Sequence, residues 1–379
     1  MSRIYRWFSS KRYDLLFIFT VVSFFSYIYR GLFSGGMINI GDYVPWTLNQ
    51  KDLIQSFIYS WTQRGLGNMD LKAGGMVINQ LFFTYLFRGN ISFAQRFYYL
   101  SLMPISAFTM YICLGFFINS KLSRFFCSFF YSINGITIVF FQWGGIPWLE
   151  MWAAFPLFIL YFIKSLGNNR QLYNILLFTF IVAFTSNNMI YFLFQIMPFM
   201  IIFGIVEFMY RRNLIYSIKT IFLFSISFFV IGLILAPLLT DMIIKLFRYY
   251  TFNITTFGLY SETPIDTIIN ATYIIYAHPI TVMSFNRLTF LIFGLSLSSL
   301  FVKHKTNIKH YLCFLLVAII TQLSFKLLIL GLFSNIFVLF PFLLVFRDPI
   351  KLIAIIAWAI FMMMAILVDD IGRRFNEEL

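Results

Sequence analysis

Apolar runs of about twenty residues recur along almost the whole chain, and short polar or basic segments separate them. A bilayer core of about 30 Å needs about twenty apolar residues in a helix, so each run is long enough to span a membrane. The runs predict about ten spanning helices, at 14–34, 97–118, 125–143, 148–163, 171–187, 189–209, 219–240, 287–302, 311–328 and 350–368. The predicted fold class is an all-α polytopic membrane protein.

Basic residues predict which side of the membrane each connection faces. With the N-terminus inside, the short cytoplasmic segments hold Arg3, Arg6, Lys11, Arg12, Lys121, Arg124, Lys164, Arg170, Arg211, Arg212, Lys219, Lys303, Lys305, Lys309, Arg373 and Arg374. This excess follows the positive-inside rule and predicts that both termini are cytoplasmic. Attraction to anionic lipids accounts for the net charge of +14, so nucleic acid is not required as a partner. The first apolar run lacks a small-residue cleavage site and is predicted to be a retained anchor.

Two long outer loops, 35–96 and 241–286, contrast with the short cytoplasmic connections. The chain is therefore interpreted as one transmembrane domain, 1–379, whose extracytoplasmic face these loops form. Long loops on a compact helix bundle tend to carry function. The stretch 76–88 in the first loop is apolar, too short to span and ends at Arg88, which favours an interfacial or re-entrant helix.

Several kinds of site are excluded by the residues that the chain contains. The cysteines all fall inside predicted spans and are interpreted as small core residues: Cys113, Cys127 and Cys313. The histidines are scattered and predict no metal cluster: His278, His304 and His310. There is no nucleotide-binding glycine motif. A divalent cation held by outer carboxylates is left open, because oxygen ligands suit such ions.

A charged segment, Phe346-Arg347-Asp348-Pro349-Ile350-Lys351, stands beside the last apolar run in a chain with only 11% charged residues. Asp348 and Pro349 are typical of an N-cap and first helical position. Arg347 then lies at a helix N-terminus, where backbone N–H groups favour an anion such as phosphate. The alternative is an ordinary interfacial arginine that extends to lipid headgroups or pairs with Asp348.

Few carboxylates can face outward, which narrows the choice of an acid–base group. The predicted topology leaves eight: Asp42, Asp52, Asp70, Glu150, Asp241, Glu262, Asp266 and Asp348. Asp42 is the best placed, shortly after the first helix and next to a Pro-Trp pair that would hold it near the interface. Its alternative interpretation is a solvated Gly-Asp turn.

These features resemble the GT-C membrane glycosyltransferases: one helix, a long outer loop with an early Gly41-Asp42, and then many helices. The segment from Phe346 to Leu352 is similar to the F-R-x-P-x-K/R-F segment of the arabinofuranosyltransferase D-like sugar transferases. The resemblance implies a polyprenyl-phosphate sugar donor, an inverting transfer to a hydroxyl acceptor, Asp42 as base and Asp70 as second candidate. Arg347 would contact the donor phosphate, and Lys351 and Asp348 of the same segment are further candidate substrate-binding residues. The chain departs at Leu352, where an aromatic is common, and relatives usually continue into further helices.

Other functions remain open. A flippase or transporter of a lipid-linked glycan would need ionisable residues near the bilayer midplane. The centres of the predicted helices are almost free of charge, with Lys326 the nearest exception, which argues against ion coupling. An O-antigen-type polymerase or ligase would place arginines in a late outer loop, as Arg248 is. Arg248, and His278 in the same outer loop, are further candidate substrate-binding residues. A membrane assembly factor without enzymatic activity is the third alternative.

Overall fold

The structure is a computed structural model that describes residues 2–32, 74–142, 146–166, 170–185, 197–211, 308–329 and 353–378, with Phe222, Phe224, Ser225 and Ser299. The helices are α1 Ser2–Tyr29, α2 Gly74–Leu86, α3 Ile91–Phe117, α4 Lys121–Ser132, α5 Gly135–Gln142, α6 Ile146–Ser165, α7 Gln171–Thr185, α8 Met197–Arg211, α9 Ile308–Ile329 and α10 Ile353–Glu378. These residues contain no strand, so the all-α class is confirmed for the described part of the chain.

Two of the described helices contain a stretch long and apolar enough to cross a membrane: Arg12–Tyr29 in α1 and Ile91–Phe117, the whole of α3. Shorter apolar helices occur at Gln171–Ile181, Phe199–Tyr210 and His310–Thr321. Buried core helices and signal sequences share this length and composition, so the ten-span topology stays a prediction. The outer-loop stretches 35–73 and 241–286 lie outside the described residues.

Successive long helices run in alternating directions. Asp14, at the middle of α1, accepts a hydrogen bond of 2.6 Å from the Tyr111 hydroxyl in the last third of α3. The hydroxyl of Tyr29, at the end of α1, donates to Met103 Sδ in the first half of α3 at 2.9 Å, so α1 and α3 are antiparallel. The α4–α5 pair runs antiparallel to α3, because Phe141 at the end of α5 stacks on Tyr99 in the first half of α3, with 4.6 Å between ring centroids. The α6 helix runs parallel to α3, because Lys164 near its end lies 5.7 Å from the centroid of the Phe116 ring.

The last two described helices continue this alternation. His310 at the start of α9 packs edge-on against Phe117 at 5.6 Å, and α10 returns until Asp369 accepts the Ser120 N–H at 3.1 Å. The segments predicted to be cytoplasmic therefore gather at one end, which we call the basic end: Arg12, Lys121, Arg124, Lys164, Arg373 and Arg374. The opposite end, where α3, α6 and α10 begin, we call the far end. The gathering of the basic residues at one end is a property of the fold. Which side of a membrane each end faces stays a prediction.

Aromatic rings fill the space between the helices. Trp358 of α10 is fully buried, and Phe155, Phe199 and Phe314 from α6, α8 and α9 meet its ring edge-on at 5.3–5.9 Å. Edge-to-face pairs of this kind are favourable beyond the area that they bury. The three cysteines are buried, as predicted from their apolar surroundings.

One predicted span, 125–143, consists of two helices. The break falls at Ile133 and Asn134, where the Asn134 side chain accepts the Thr137 N–H at 3.1 Å and donates to the Tyr131 carbonyl at 2.7 Å. Asn134 thus caps the start of α5 and also donates a hydrogen bond to a carbonyl group in the last turn of α4. Average hydropathy cannot detect this break, because only one strongly polar residue causes it.

The polarity of α2 is reversed relative to a helix on the surface of a soluble protein. Its apolar side chains point outward, with Tyr85 88% exposed and Phe82 and Leu86 more than half exposed. Its polar side chains Asn79 and Thr84 face the other helices. The same arrangement occurs in α7, where Leu172, Leu176 and Phe180 are exposed and Gln171, Asn174 and Thr179 are buried.

Candidate functional site

Asp42 and Asp70 fall in 33–73, Arg248 and His278 in 226–298, and Arg347, Asp348 and Lys351 in 330–352, all outside the described residues. Their roles and the proximity of Asp42 to Arg347 stay predictions. Glu150, one of the eight carboxylates predicted to face outward, is described.

Glu150 belongs to a buried polar cluster at the far end, which we define as Asn79 of α2, Tyr98 of α3 and Glu150 of α6. The Asn79 amide nitrogen donates to the Tyr98 hydroxyl at 3.1 Å, and the Glu150 carboxyl group is hydrogen-bonded to the Asn79 side chain. Glu150 and Asn79 are each only 4% exposed. Because a side-chain amide carries two N–H donors, Asn79 can serve both oxygen acceptors. Three separate helices thus meet at one amide.

The turn between α2 and α3 holds Asn79 against Tyr98. Arg88 and Gly89 both have positive φ, 52° and 84°, and the Gly89 N–H donates to the Thr84 carbonyl at 2.8 Å. Such a left-handed end with a bond across six residues is a common helix terminator. The side chain of Asn90 then caps α3 by accepting the Phe93 N–H at 3.0 Å.

Ring contacts fix α2 along the first turns of α3. Phe83 lies 5.0 Å from Tyr98 between ring centroids, and Phe87 lies 4.8 Å from Phe93 and 4.9 Å from Phe97. These aromatic pairs and the tight turn leave the polar face of α2 directed at α3 and α6. Further polar side chains are buried in the same region: Gln80, Gln95 and Arg96.

Two buried oxygen atoms on α2 have no hydrogen-bond partner among the described residues: Asn79 Oδ1 and Thr84 Oγ1. Leaving such a group unpaired costs about 1–3 kcal/mol, so most native structures avoid it. A carbonyl-type acceptor and a hydroxyl that can donate or accept suit a ligand with hydroxyl or phosphate oxygens. These are the two unpaired polar atoms that the described residues of α2 contribute to the buried interior.

No metal site accompanies the cluster in the described residues. They contain no group of three or more His, Cys, Asp or Glu side chains that could hold an ion. Metal binding by the outer carboxylates that lie elsewhere in the chain stays open.

The sequence includes Glu150 among the outward carboxylates but does not single it out. The signal that distinguishes it is an acidic residue in the second turn of a helix that is otherwise almost wholly apolar, a position where a buried carboxylate needs a partner. Its partner Asn79 is 71 residues earlier, on a helix that only the tertiary structure brings to α6.

We expect Asn79→Ala to lower the free energy of unfolding by about 1–3 kcal/mol, because Tyr98 and Glu150 lose their shared donor. Thermal unfolding of the purified chain in detergent measures the change. Tyr98→Phe should cost less, and the double variant should be less destabilised than the sum of the two single variants. Tyr85→Ala, on the exposed side of α2, is the matched control and should change little. Strict additivity of the two substitutions in the cluster would contradict the shared hydrogen bond.

Comparison with known proteins finds no match: no family model, no curated protein and no solved structure resembles this chain closely enough to be assigned to it. The geometry of the described helices and the sequence motifs are therefore the basis for a function.

Proposed function

We propose that the chain is a multi-pass membrane glycosyltransferase that moves a sugar from a polyprenyl-phosphate donor to a hydroxyl acceptor at the extracytoplasmic face of the cell membrane. The observation that supports this proposal most directly is the buried polar cluster around Glu150. A buried carboxylate, an amide and a phenol at one end of an apolar helix bundle suit the recognition of a sugar's hydroxyl groups.

The reversed polarity of α2 and α7 supports a lipid environment. Outward Phe82, Tyr85, Leu172 and Phe180 would be unfavourable in water, and contiguous exposed apolar surface of this kind marks contact with a membrane or partner. In a bilayer the same side chains are in their preferred solvent, while the polar side chains of both helices are buried against the rest of the bundle.

The proposed reaction is a single displacement. Asp42, with Asp70 as second candidate, removes the proton of the acceptor hydroxyl, whose oxygen then bonds to the anomeric carbon. The bond from that carbon to the phosphate oxygen breaks, and the phosphate leaves with the electron pair. Arg347 and the start of the last helix stabilise the negative charge that develops on it. Attack from the opposite face inverts the anomeric centre.

A transport assay separates this proposal from a flippase. The full chain is reconstituted in proteoliposomes with a labelled polyprenyl-phosphate sugar and a mixture of glycan and lipid acceptors. We expect the label to appear on an acceptor and polyprenyl phosphate to be released. Movement of intact lipid-linked sugar across the bilayer with no cleavage would replace the transferase by a transporter. Transfer of a whole oligosaccharide instead of one sugar would indicate a polymerase or ligase.

A further inference from the structure

Two long helices that pack side by side carry a proline in their interior: Pro104 in α3 and Pro156 in α6. A proline has no backbone N–H, so it removes one helical hydrogen bond and weakens the helix at that point. The two helices run in the same direction, and the Asn79 side chain bonds to both Tyr98 and Glu150. Pro104 follows Tyr98 by six residues, or about 9 Å of helix. The same interval separates Pro156 from Glu150, so both prolines lie at about the same level of the bundle.

The joint between α4 and α5, at Ile133 and Asn134, is a third interruption close to this level. Because Pro156 has no N–H, the Trp152 carbonyl lacks a donor four residues later in α6, and it accepts the Tyr131 hydroxyl at 2.9 Å instead. The Tyr131 carbonyl, in the last turn of α4, accepts the Trp152 indole N–H at 3.0 Å. The joint thus lies within about one helical turn of Pro156. We call the level of these three interruptions the break level.

On one side of the break level, segments of four helices are bonded to one another. They are α2, residues 91–103 of α3, α5 and residues 146–155 of α6, and we call them the far-end unit. The Asn79 side chain of α2 bonds to both α3 and α6. The Tyr99 hydroxyl of α3 donates to the Phe141 carbonyl of α5, and the two rings stack. The buried polar cluster therefore acts as a clamp inside this unit.

On the other side of the break level, the basic-end parts of the helices are bonded to one another as well. Asp14 of α1 accepts the Tyr111 hydroxyl of α3 at 2.6 Å and the Lys121 ammonium of α4 at 3.0 Å. Asp369 of α10 accepts the Ser120 N–H before α4 at 3.1 Å. Two internally bonded groups of segments are thus connected through three interrupted stretches of chain.

We propose that the break level is a hinge, about which the far-end unit tilts against α10 and the basic-end parts of the helices. The backbone hydrogen bonds that would resist bending are already missing there, and the Tyr131–Trp152 pair keeps freed carbonyls bonded at the pivot. The unbroken α1 touches the unit through Tyr29, whose hydroxyl donates to Met103 Sδ, a weak acceptor that a tilt can release. The tilt widens or narrows the far end between the unit and α10, whatever reaction the chain performs.

Distances between spin labels test the hinge in the full chain, reconstituted in phosphatidylcholine nanodiscs. The three native cysteines are replaced by alanine, so that only introduced cysteines carry a label. The first pair, Tyr85→Cys with Ile201→Cys, joins the far-end unit to α8, which packs on α9 and α10. The matched control, Leu122→Cys with Ile201→Cys, joins α4 below the break level to the same site on α8. All three native side chains are at least half exposed.

We expect the distance distribution of the Tyr85–Ile201 pair to be at least about twice as wide as that of the Leu122–Ile201 pair. Pro104→Ala combined with Pro156→Ala restores the two missing N–H donors and should narrow the first distribution to the width of the control. The thermal unfolding of each variant is measured alongside, so that a stiffened chain is distinguished from a misfolded one.

A rescue experiment tests the pivot. Tyr131→Phe leaves the Trp152 carbonyl without its donor, so it should lower the unfolding temperature of the chain. In the Pro156→Ala background, the alanine N–H can bond to that carbonyl within α6, and the same Tyr131→Phe substitution should lower the unfolding temperature much less. Equal losses in the two backgrounds would contradict the assigned pivot.

Two further results would overturn the hinge: equal widths for the two label pairs in the chain with both prolines, or a wide Tyr85–Ile201 distribution that persists without them. The comparison of the two label pairs requires no proline substitution. It therefore decides the question even if the proline variants fail to fold.

Discussion

We expect Asp42→Asn and Arg347→Ala each to reduce sugar transfer by at least about a hundredfold while the chain still inserts into the membrane. Asparagine cannot accept the proton of the acceptor hydroxyl, and alanine cannot stabilise charge on the departing phosphate. Initial rates in proteoliposomes with a labelled polyprenyl-phosphate sugar measure both effects. The two substitutions should differ in kind, because Arg347→Ala also raises KM for the donor whereas Asp42→Asn lowers mainly kcat.

Matched controls keep this experiment interpretable. Asp52→Asn removes a carboxylate from the same outer loop, and Arg170→Gln removes an arginine from the basic end; both should transfer sugar at the wild-type rate. Asp70→Asn decides between the two candidate bases. Full activity in both Asp42→Asn and Arg347→Ala would remove the basis for the transferase assignment.

The second large effect concerns stability at the contact of α4 with α6. Tyr131 and Trp152 are both buried and exchange two hydrogen bonds: the Trp152 indole N–H donates to the Tyr131 carbonyl at 3.0 Å, and the Tyr131 hydroxyl donates to the Trp152 carbonyl at 2.9 Å. Their rings also stack, with centroids 5.1 Å apart and planes 24° from parallel. Replacing a buried tryptophan by alanine costs about 3–5 kcal/mol in protein cores. We expect Trp152→Ala to fall in that range.

Thermal unfolding in detergent measures the loss for Trp152→Ala against two comparisons. Trp152→Phe keeps a stacked ring and loses only the indole donor, so its effect should be intermediate. Phe180→Ala removes a large side chain that is 63% exposed, and it should shift the unfolding temperature little. If Trp152→Ala and Phe180→Ala gave equal shifts, the reciprocal contact would contribute nothing to stability.

Hydropathy locates the described helices well but misplaces their ends and joints. The predicted span 148–163 matches α6, Ile146–Ser165, and 311–328 matches α9, Ile308–Ile329. The first span was predicted from residue 14, yet α1 begins at Ser2, because a polar and basic segment can continue a helix that hydropathy does not detect. The joint at Asn134 was missed for the opposite reason: a polar side chain interrupts a run that is apolar on average.

The contacts of the candidate site are even harder to predict from the sequence than the ends of the helices. Glu150 could be recognised from the sequence as a carboxylate inside an apolar helix, but Asn79 looks like an ordinary polar residue of the interfacial helix predicted at 76–88. Their hydrogen bond depends on the left-handed turn at Arg88 and Gly89, which folds α2 back onto α3. The reversal of polarity in α2 is equally invisible until its neighbours are known, since an amphipathic pattern does not say which face is buried.

The sequence by itself determined that the chain is helical and rich in apolar segments, because hydrophobic length and the placement of basic residues are local properties that each segment carries alone. It also supplied the motifs at Asp42 and Arg347 on which the transferase proposal depends. Only the tertiary structure decided that basic residues from four helices, α1, α4, α6 and α10, gather at one end and that Asn79, Tyr98 and Glu150 meet at the other. Hydrogen bonds and ring contacts between residues far apart in the chain depend on the packing of whole helices, which no single segment encodes.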